Sequence, residues 1–267
     1  MRPITDLRGY QAELAQMLVT VNRVCREHDL RYHLAYGTAL GAYRHQGLIP
    51  WDRDVDITVR LDEYDDFCAT LRRELPSTLT IEDFRTSPDY ELLFARIGVV
   101  GVKHQYLHID IFPVAGAPRS PLMQILVIRG LQLLTHLFTA KRADFSTRSW
   151  WRLRTRVLAR LARWVALPLS ADAIISAHLR LAHRYPLTPT SPAMIVCGTA
   201  RRSDLMPERF FGEPHLVPFL GDQFPMPSSP EEYLTHVYGD FRRLPSAEAQ
   251  RDEKAFFDTV VLPRLNG

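Results

Sequence analysis

Three aspartates at alternate positions, Asp52, Asp54 and Asp56, constrain this 267-residue chain more than any other feature. In an extended backbone alternate side chains point to the same face, so Asp54 and Asp56 are predicted to project together from the start of a strand. The apolar residues within 55–59 would place the other face against a core. Neighbouring carboxylates repel each other unless a cation lies between them, and such hard oxygen ligands suit Mg²⁺ or Mn²⁺. An Asp-rich turn in solvent is the alternative.

A second feature lies just ahead of the aspartates. The sequence predicts a short strand over 32–36, a tight turn at Gly37 and Thr38, and a helical turn over 39–43. Backbone N–H groups at a helix N-terminus can bind phosphate oxygens, so Gly37 and Thr38 are candidate substrate-binding residues, although any turn can contain this pair. Followed by paired aspartates, this arrangement is similar to the layout of the nucleotidyltransferase superfamily and predicts an α/β (α+β) fold.

Three separated blocks of sequence carry a family resemblance. They are the segment 37–57, His108-Ile-Asp-Ile-Phe-Pro113 and Tyr238-Gly-Asp-Phe-Arg-Arg-Leu-Pro245. In content and order they resemble the LicD family, the phosphocholine transferases and relatives that include fukutin and the fukutin-related protein. The resemblance implies a nucleotidyltransferase-like mixed sheet flanked by helices, with a helical insertion. It also implies that Asp110 is a third carboxylate, which completes a metal shell or accepts the proton of an attacking hydroxyl.

Further residues near these blocks are candidates for substrate binding. Arg44 has a planar guanidinium that can hold phosphate through two hydrogen bonds, and His45 can donate to a phosphoryl oxygen. Trp51 can shelter the site or stack on an organic group. Solvated loop positions for the first two, and a core position for Trp51, are the alternatives. Arg96 lies in a predicted strand over 91–100, where a buried Arg must be paired with either a substrate phosphate or a structural carboxylate.

Charge and cysteine content narrow the class of protein. The net charge of +3 and the absence of a base-stacking or groove-reading motif argue against nucleic-acid binding. Cys25, Cys68 and Cys197 are isolated and are not spaced as a zinc site, which fits a reducing compartment. No apolar stretch follows the charges at the N-terminus, so we expect no secretory signal and a cytoplasmic location.

The distribution of motifs, predicted helices and turn-rich segments divides the chain into three predicted parts. These are a catalytic core over 1–120, a basic helical insertion over 121–186, and a C-terminal segment over 187–267 that packs back on the core. Residues 122–138 are apolar enough for a membrane-spanning helix to be considered, but the polar residues among them favour a helix packed on the domain. Residues 148–167 predict a basic amphipathic helix, which packs its apolar side on the core, contacts the inner face of an anionic membrane or binds a polyanionic acceptor.

The family resemblance implies a specific reaction. A phospho-alcohol would pass from a CDP-linked donor, CDP-choline above all or its ribitol or glycerol counterpart, to a hydroxyl of a cell-surface glycan or lipid-linked glycan. Asp54, Asp56 and Asp110, with Asp52 as a further candidate, would hold Mg²⁺ or Mn²⁺. A choline group favours an aromatic pocket. The aromatic residues near the motifs are Tyr36, Tyr43, Trp51 and Phe112.

Two other functions remain open from the sequence. A nucleotidyltransferase that moves NMP from an NTP also uses paired aspartates. The preferred donor, an NTP or a CDP-linked alcohol, distinguishes it from the phospho-alcohol transferase. A non-catalytic glycan-binding partner is the other alternative. The crowded carboxylates argue against it, because a silent relative has no evident reason to keep like charges together.

Overall fold

The computed structural model describes residues 4–87, 89–103, 106–142, 168–196 and 202–265. The chain forms two units that alternate along the sequence. Unit 1 comprises residues 1–81, 96–112 and 209–267, and unit 2 comprises residues 82–95 and 113–208. The basic helix predicted over 148–167 lies outside the described residues, so it stays a prediction, as does the three-part division of the chain.

Unit 1 is built on the sheet that carries the aspartates. Its strands lie in the order β1-β2-β5-β4-β3. They are β1 (His33–Leu34), β2 (Asp56–Arg60), β3 (Leu79–Glu82), β4 (Ala95–Val99) and β5 (His108–Gly116), the last of which continues into unit 2. β1 and β2 pair antiparallel, with His33 opposite Thr58. This mixed sheet with its helices confirms the predicted α/β class.

The first three helices of the chain belong to unit 1, namely α1 (Leu7–Glu27), α2 (Tyr36–His45) and α3 (Tyr64–Glu74). α1 begins after Asp6, whose carboxylate accepts a hydrogen bond from the Gly9 N–H, as expected for an N-cap. Its apolar stripe is fully buried at Leu14 and Leu18, and each such leucine contributes roughly 2 kcal/mol of burial free energy. α2 begins earlier than predicted, so that Gly37 and Thr38 lie in its first turn.

Two helices pack together in the part of unit 2 that the structure describes. They are α4 (Pro121–Arg142) and α5 (Ala171–Ala182), and they lie close enough that a Cβ on Gly130 would be 2.9 Å from the Leu181 side chain. A buried cluster that includes Tyr90, Phe138 and Ile174 forms the local core. The end of β5 pairs antiparallel with β6 (Pro192–Ile195), which pairs with β7 (Leu205–Pro207). Within the described residues, α4 has the length and apolar composition of a membrane span.

The C-terminal part of unit 1 contains more regular structure than the sequence predicts. Its turn-rich composition over 204–230 suggests a segment that wraps the surface, yet β8 (His215–Phe219) and β9 (Asp222–Met226) form an antiparallel hairpin. Prolines in both strands conceal this hairpin, since Pro cannot donate to a ladder but is tolerated in an edge ribbon. The hairpin precedes α6 (Pro230–Tyr238), α7 (Ala247–Phe256), a π-helical turn (Phe257–Val261) and α8 (Leu262–Leu265).

Candidate active site

The aspartates lie where the chain enters β2, next to the first turn of α2. The Asp56 N–H donates to the Thr38 hydroxyl oxygen at 2.8 Å, and the Ala35 N–H donates to the Asp56 carbonyl at 3.0 Å. These two bonds join the strand to the helix N-terminus. The Thr38 hydroxyl therefore holds the backbone of an aspartate, whereas Thr38 was predicted from sequence as a phosphate-binding residue.

Asp52 organises the loop that presents the other aspartates. Its Oδ1 accepts hydrogen bonds from the backbone N–H groups of Arg53 at 2.8 Å and Asp54 at 3.2 Å. Its Oδ2 lies against Gly37, where a Cβ would be only 2.4 Å away. Only glycine leaves room for this carboxylate, so Gly37 and Asp52 fit together as a pair.

Asp110 lies on the neighbouring strand and is held by Arg96. The Asp110 N–H donates to the Val55 carbonyl at 2.9 Å, which fixes β5 beside the aspartate loop. The Arg96 guanidinium donates to both Asp110 carboxylate oxygens, from Nε at 2.5 Å and from Nη2 at 3.3 Å. His108 Nε2 lies 3.5 Å from Asp110 Oδ1. The sequence left the partner of Arg96 open, and in the structure this partner is a carboxylate.

Burial and mutual repulsion shift the titration of these carboxyls. Burial, followed by the charges of Asp110, Asp54 and Asp52, raises the pKa of Asp56 well above its usual value. Burial and the charge of Asp54 raise the pKa of Asp52 to about 6. Removal of bulk water by the surrounding protein, together with the charge of Asp110, also raises the pKa of Asp54, although part of its surface is exposed. A cation bound beside these carboxyls would stabilise their ionised forms and lower their pKa values.

The aspartates fit a divalent cation only in part. Among the residues that the structure describes, no three His, Cys, Asp or Glu side chains are arranged as a metal site. Mg²⁺ does not require such a set, because it commonly binds through one or two carboxylates and takes water and substrate phosphate as its other ligands. Asp54 and Asp56 can serve in this way, while Asp110 is already paired with Arg96.

A cavity of about 600 Å³ adjoins Asp52 in unit 1. Its lining combines Gly37, Leu40, Arg44, Ile49, Trp51 and Asp52 with the loop that follows α6, from Tyr238 to Ser246. Arg44 lines it but is partly committed, since its Nη1 donates to the Phe241 carbonyl at 2.7 Å and its Nε lies 3.4 Å from His45 Nδ1. His45 and Trp51 meet edge to face, with ring centroids 5.8 Å apart.

The aromatic residues considered for a choline pocket form separate pairs. Tyr36 packs edge to face on Phe112 at 5.8 Å, while the Tyr43 hydroxyl donates to Glu231 and its ring packs on Phe241. Trp51 instead lines the cavity beside Asp52. The described contacts therefore do not bring these four aromatic side chains together in one pocket.

Comparison with known proteins shows which family the region around this site resembles. Residues 29–129, which include the four aspartates and Arg96, match the family described as LicD/FKTN/FKRP, nucleotidyltransferase domain. The chain carries a LicD-family domain.

Two named relatives differ in how much of their length is shared. Lipopolysaccharide cholinephosphotransferase LicD of Haemophilus influenzae is 23% identical over 261 residues, which cover 94% of this chain and 96% of the relative. Ribitol 5-phosphate transferase FKRP of Homo sapiens is 36% identical over 95 residues, which cover 35% of this chain and 18% of the relative. The similarity to LicD thus extends beyond the LicD-family domain at both ends.

Residues outside the LicD-family domain position its site, and sequence reasoning missed them. The Gln11 amide donates to the carbonyls of Ile49 at 2.8 Å and Asp52 at 2.6 Å, so α1 holds the aspartate loop. The Tyr36 N–H donates to the Tyr233 hydroxyl at 3.1 Å. No local pattern reveals these roles, because Gln11 reads as a surface position of an amphipathic helix.

Arg53 is a further residue that the sequence did not single out. Its Nη1 lies 2.6 Å from Glu253 Oε2, and its guanidinium stacks at 4.6 Å over the Phe256 ring. Both partners belong to α7, so this helix is fastened to the loop between Asp52 and Asp54. The position of Arg53 between two aspartates is a usable sequence signal, but its partners lie 200 residues away.

Proposed function

We propose that this protein transfers a phospho-alcohol, phosphocholine first among the candidates, from a CDP-linked donor to a hydroxyl of a glycan. The observation that carries the proposal is the grouping of Asp54, Asp56 and Asp110 in a LicD-family domain. The names of the relatives, a lipopolysaccharide cholinephosphotransferase and a ribitol 5-phosphate transferase, support a glycan or lipid-linked glycan as acceptor. A cytoplasmic location of the enzyme is part of the same proposal.

We also propose that Asp54 and Asp56 hold Mg²⁺ or Mn²⁺. The raised pKa of Asp56 supports this, since its causes are burial and neighbouring carboxylates, which a cation would offset. When bound, such an ion would neutralise charge on the phosphoryl oxygens of the donor.

The side chains of this protein would carry the rest of the reaction. Asp110 is the candidate base for the acceptor hydroxyl, and the Arg96 guanidinium fixes the orientation of its carboxylate. The backbone N–H groups in the first turn of α2, at Gly37 and Thr38, can bind phosphate oxygens. Phosphoryl transfer needs chiefly positioning and charge stabilisation, and the bonds that fix the Asp52 loop serve that need.

The proposal is tested by CMP release from CDP-choline, CDP-ribitol, CDP-glycerol and CDP-ethanolamine, each with Mg²⁺ and with EDTA. The acceptor is a pool of bacterial glycans. Asp54→Asn and Asp56→Asn are compared with Asp62→Asn, which removes an exposed carboxylate of the same unit that pairs with Arg60. We expect one donor to be used in the presence of metal, loss in the first two variants and retention in the control.

Other outcomes would contradict the proposal in distinct ways. Consumption of NTPs with no use of CDP-alcohols would indicate a nucleotidyltransferase that moves NMP. Full activity in EDTA would show that the transfer does not need a metal ion, and the proposed transfer itself would stand. Binding of the glycan pool without binding of any nucleotide, measured by calorimetry, would favour the non-catalytic reading.

A further inference from the structure

The solvent-facing side of α4 in unit 2 carries four exposed apolar residues, with Arg129 and the exposed His136 among them. At 100° per residue, Leu122, Ile125, Leu126 and Leu133 fall on one side of the helix, and their exposed fractions are 66%, 43%, 55% and 59%. Arg129 lies on the same side and bonds the Gln132 side chain at 3.2 Å. Such a stripe on a protein surface indicates an interaction site, since soluble proteins seldom expose contiguous apolar residues on this scale.

The opposite side of α4 is already occupied. Val127, Ile128, Leu131 and Phe138 are buried, and the helix packs on α5 and the local core. α4 is therefore held as part of unit 2 by one side while its other side faces solvent. A helix of this kind suits the plane of a membrane interface better than a transmembrane position.

Charge indicates which partner fits the stripe. Residues 119–184 contain eleven Arg and one Lys against two Asp, a net charge of +10, whereas the whole chain carries +3. α4 itself contains no acidic residue. A second copy of this cationic segment would be repelled, whereas an anionic lipid surface attracts it at roughly 1 kcal/mol per basic residue near the surface.

We propose that the α4 stripe, defined by Leu122, Ile125, Leu126 and Leu133, docks unit 2 on an anionic lipid bilayer. The leucine and isoleucine side chains would enter the boundary between headgroups and acyl chains. Arg129 would keep its aliphatic stem among them and its guanidinium at the phosphates. Peripheral docking of this kind is independent of the chemistry at Asp54 and Asp56, and it would bring the enzyme to an acceptor carried on lipid.

Flotation of the full-length protein with vesicles tests the proposal. The vesicles are phosphatidylcholine alone and phosphatidylcholine mixed with phosphatidylglycerol. We expect binding to the anionic vesicles and weaker binding as salt rises, because screening shortens the reach of the charges. Replacement of three exposed side chains, Leu122→Gln, Leu126→Gln and Leu133→Gln together, is expected to weaken binding by about tenfold or more, given the apolar groups removed from the bilayer.

A matched control distinguishes docking from general loss of apolar surface. Leu216→Gln removes a leucine of 58% exposure from β8 in unit 1, and it should bind vesicles as the wild type does. Equal binding by the triple variant and the wild type would overturn the proposal, as would absence of wild-type binding to anionic vesicles. A concentration-dependent dimer that the triple variant loses, with no vesicle binding, would show instead that the stripe joins two copies of the chain.

A probe on the helix gives a second, structural readout. Met123 lies beside the stripe at the start of α4 and is 40% exposed, so Met123→Cys labelled with an environment-sensitive fluorophore should shift to the blue on anionic vesicles. An unchanged spectrum in protein that floats with the vesicles would assign the binding to another surface and reject the α4 stripe.

Discussion

At the scale of single residues, the site depends on carboxylates that are costly to ionise where they lie. Asp52 illustrates the balance. Two backbone N–H groups stabilise its charge, yet burial and Asp54 still raise its pKa to about 6. Asp110 differs from Asp52 in its partner, because the guanidinium of Arg96 contacts both of its carboxylate oxygens. Each carboxylate thus has its own compensation, and a cation would supply what is missing for Asp54 and Asp56.

We predict that Asp52→Asn stabilises the metal-free protein at neutral pH. The pKa of Asp52 is raised from 3.8 to about 6 on folding, so the folded state binds more protons between these values and the free energy of unfolding falls as pH rises. Asn keeps an oxygen for the two N–H groups and cannot ionise. Because Asp52 is half-buried, we expect a gain of about 1–2 kcal/mol at about pH 7.5 and little gain at about pH 4.

Urea unfolding in EDTA at the two pH values measures this difference. Wild type and variant share the buried His33 and His178, whose pKa values are lowered to about 4 mainly by burial. Their effect has the opposite sign, since stability then falls as pH drops from 6.5 towards 4. It cancels in the comparison. An equal gain at both pH values would mean that ionisation of Asp52 is not the cause.

Breaking the Arg96–Asp110 pair should be expensive. Arg96→Met leaves a buried carboxylate without its guanidinium, and we expect the free energy of unfolding to fall by about 3–5 kcal/mol. The double variant Arg96→Met/Asp110→Leu should recover most of that loss, because it also removes the carboxylate that Arg96 compensates. The control is Arg26→Met, which breaks an exposed pair with Asp222 and should cost less than about 1 kcal/mol. Additive losses in the double variant would contradict this account.

At the scale of elements, α2 is fitted to the loop beside it. It begins at Tyr36, whose φ of 42° lies in the left-handed region that favours glycine, and the following Gly37 faces the Asp52 carboxylate. Tyr36 is held by the Tyr233 hydroxyl and by Phe112. The start of the helix is therefore shaped by the site rather than by helix propensity.

We predict opposite effects for two glycine-to-alanine changes in helices. Gly37→Ala places a Cβ 2.4 Å from Asp52 Oδ2 and must displace that carboxylate, so transfer activity should fall at least tenfold while the helix remains folded. Gly9→Ala in α1 meets only an ordinary 3.4 Å contact and should stabilise the protein by up to about 1 kcal/mol. Turnover and urea unfolding on both variants decide the matter. Normal turnover in Gly37→Ala would show that the Asp52 position is not critical.

The β8–β9 hairpin offers a prediction independent of the site. Its two-residue turn has positive φ at Leu220 (50°) and Gly221 (83°), as in a type I′ turn, where Asn is favoured over branched apolar residues. Leu220→Asn should be more stable than Leu220→Ala by about 1 kcal/mol, since both lose the side-chain contacts but only Asn suits the backbone. Thermal unfolding compares the two. A more stable Ala variant would contradict the turn assignment.

At the scale of the whole molecule, the family domain is not a structural unit. Unit 1 draws on three separate segments of the chain, and the fully buried Tyr233, Phe224 and Phe257 come from beyond the region that matches the family. Phe257 packs on Tyr10 with ring centroids 5.0 Å apart, so the two ends of the chain share one core. The site is complete only when these two ends of the chain pack together.

We therefore predict that the fragment 1–208 does not fold cooperatively. It keeps all four aspartates and Arg96 but loses the residues that complete unit 1, and it exposes the apolar surface they cover. We expect no sharp urea transition by far-UV circular dichroism and no dispersed amide spectrum. The full chain serves as the reference. A cooperative transition in the fragment would show that residues 209–267 are an accessory to an already stable core.

Much of the local structure could be read from the sequence. Alternation located β2, the strand predicted over 91–100 contains β4, and the apolar stretch over 122–138 lies within α4, because these patterns depend only on neighbouring residues. Boundaries were less accurate. α2 begins at Tyr36 because of packing against distant residues, and the prolines of β8 and β9 hid a hairpin that cross-strand pairing creates.

The α/β class, the aspartates of the candidate site and the resemblance to the LicD family follow from the amino-acid sequence, since motifs and periodicities are local properties of the chain. The pairing of Arg96 with Asp110, the space that Gly37 leaves for Asp52, and the hold of Gln11 on the aspartate loop appear first in the folded chain. The same holds for which side of α4 is left uncovered. Each of these depends on contacts between residues far apart in the chain, and no local pattern specifies which distant partner a side chain will meet.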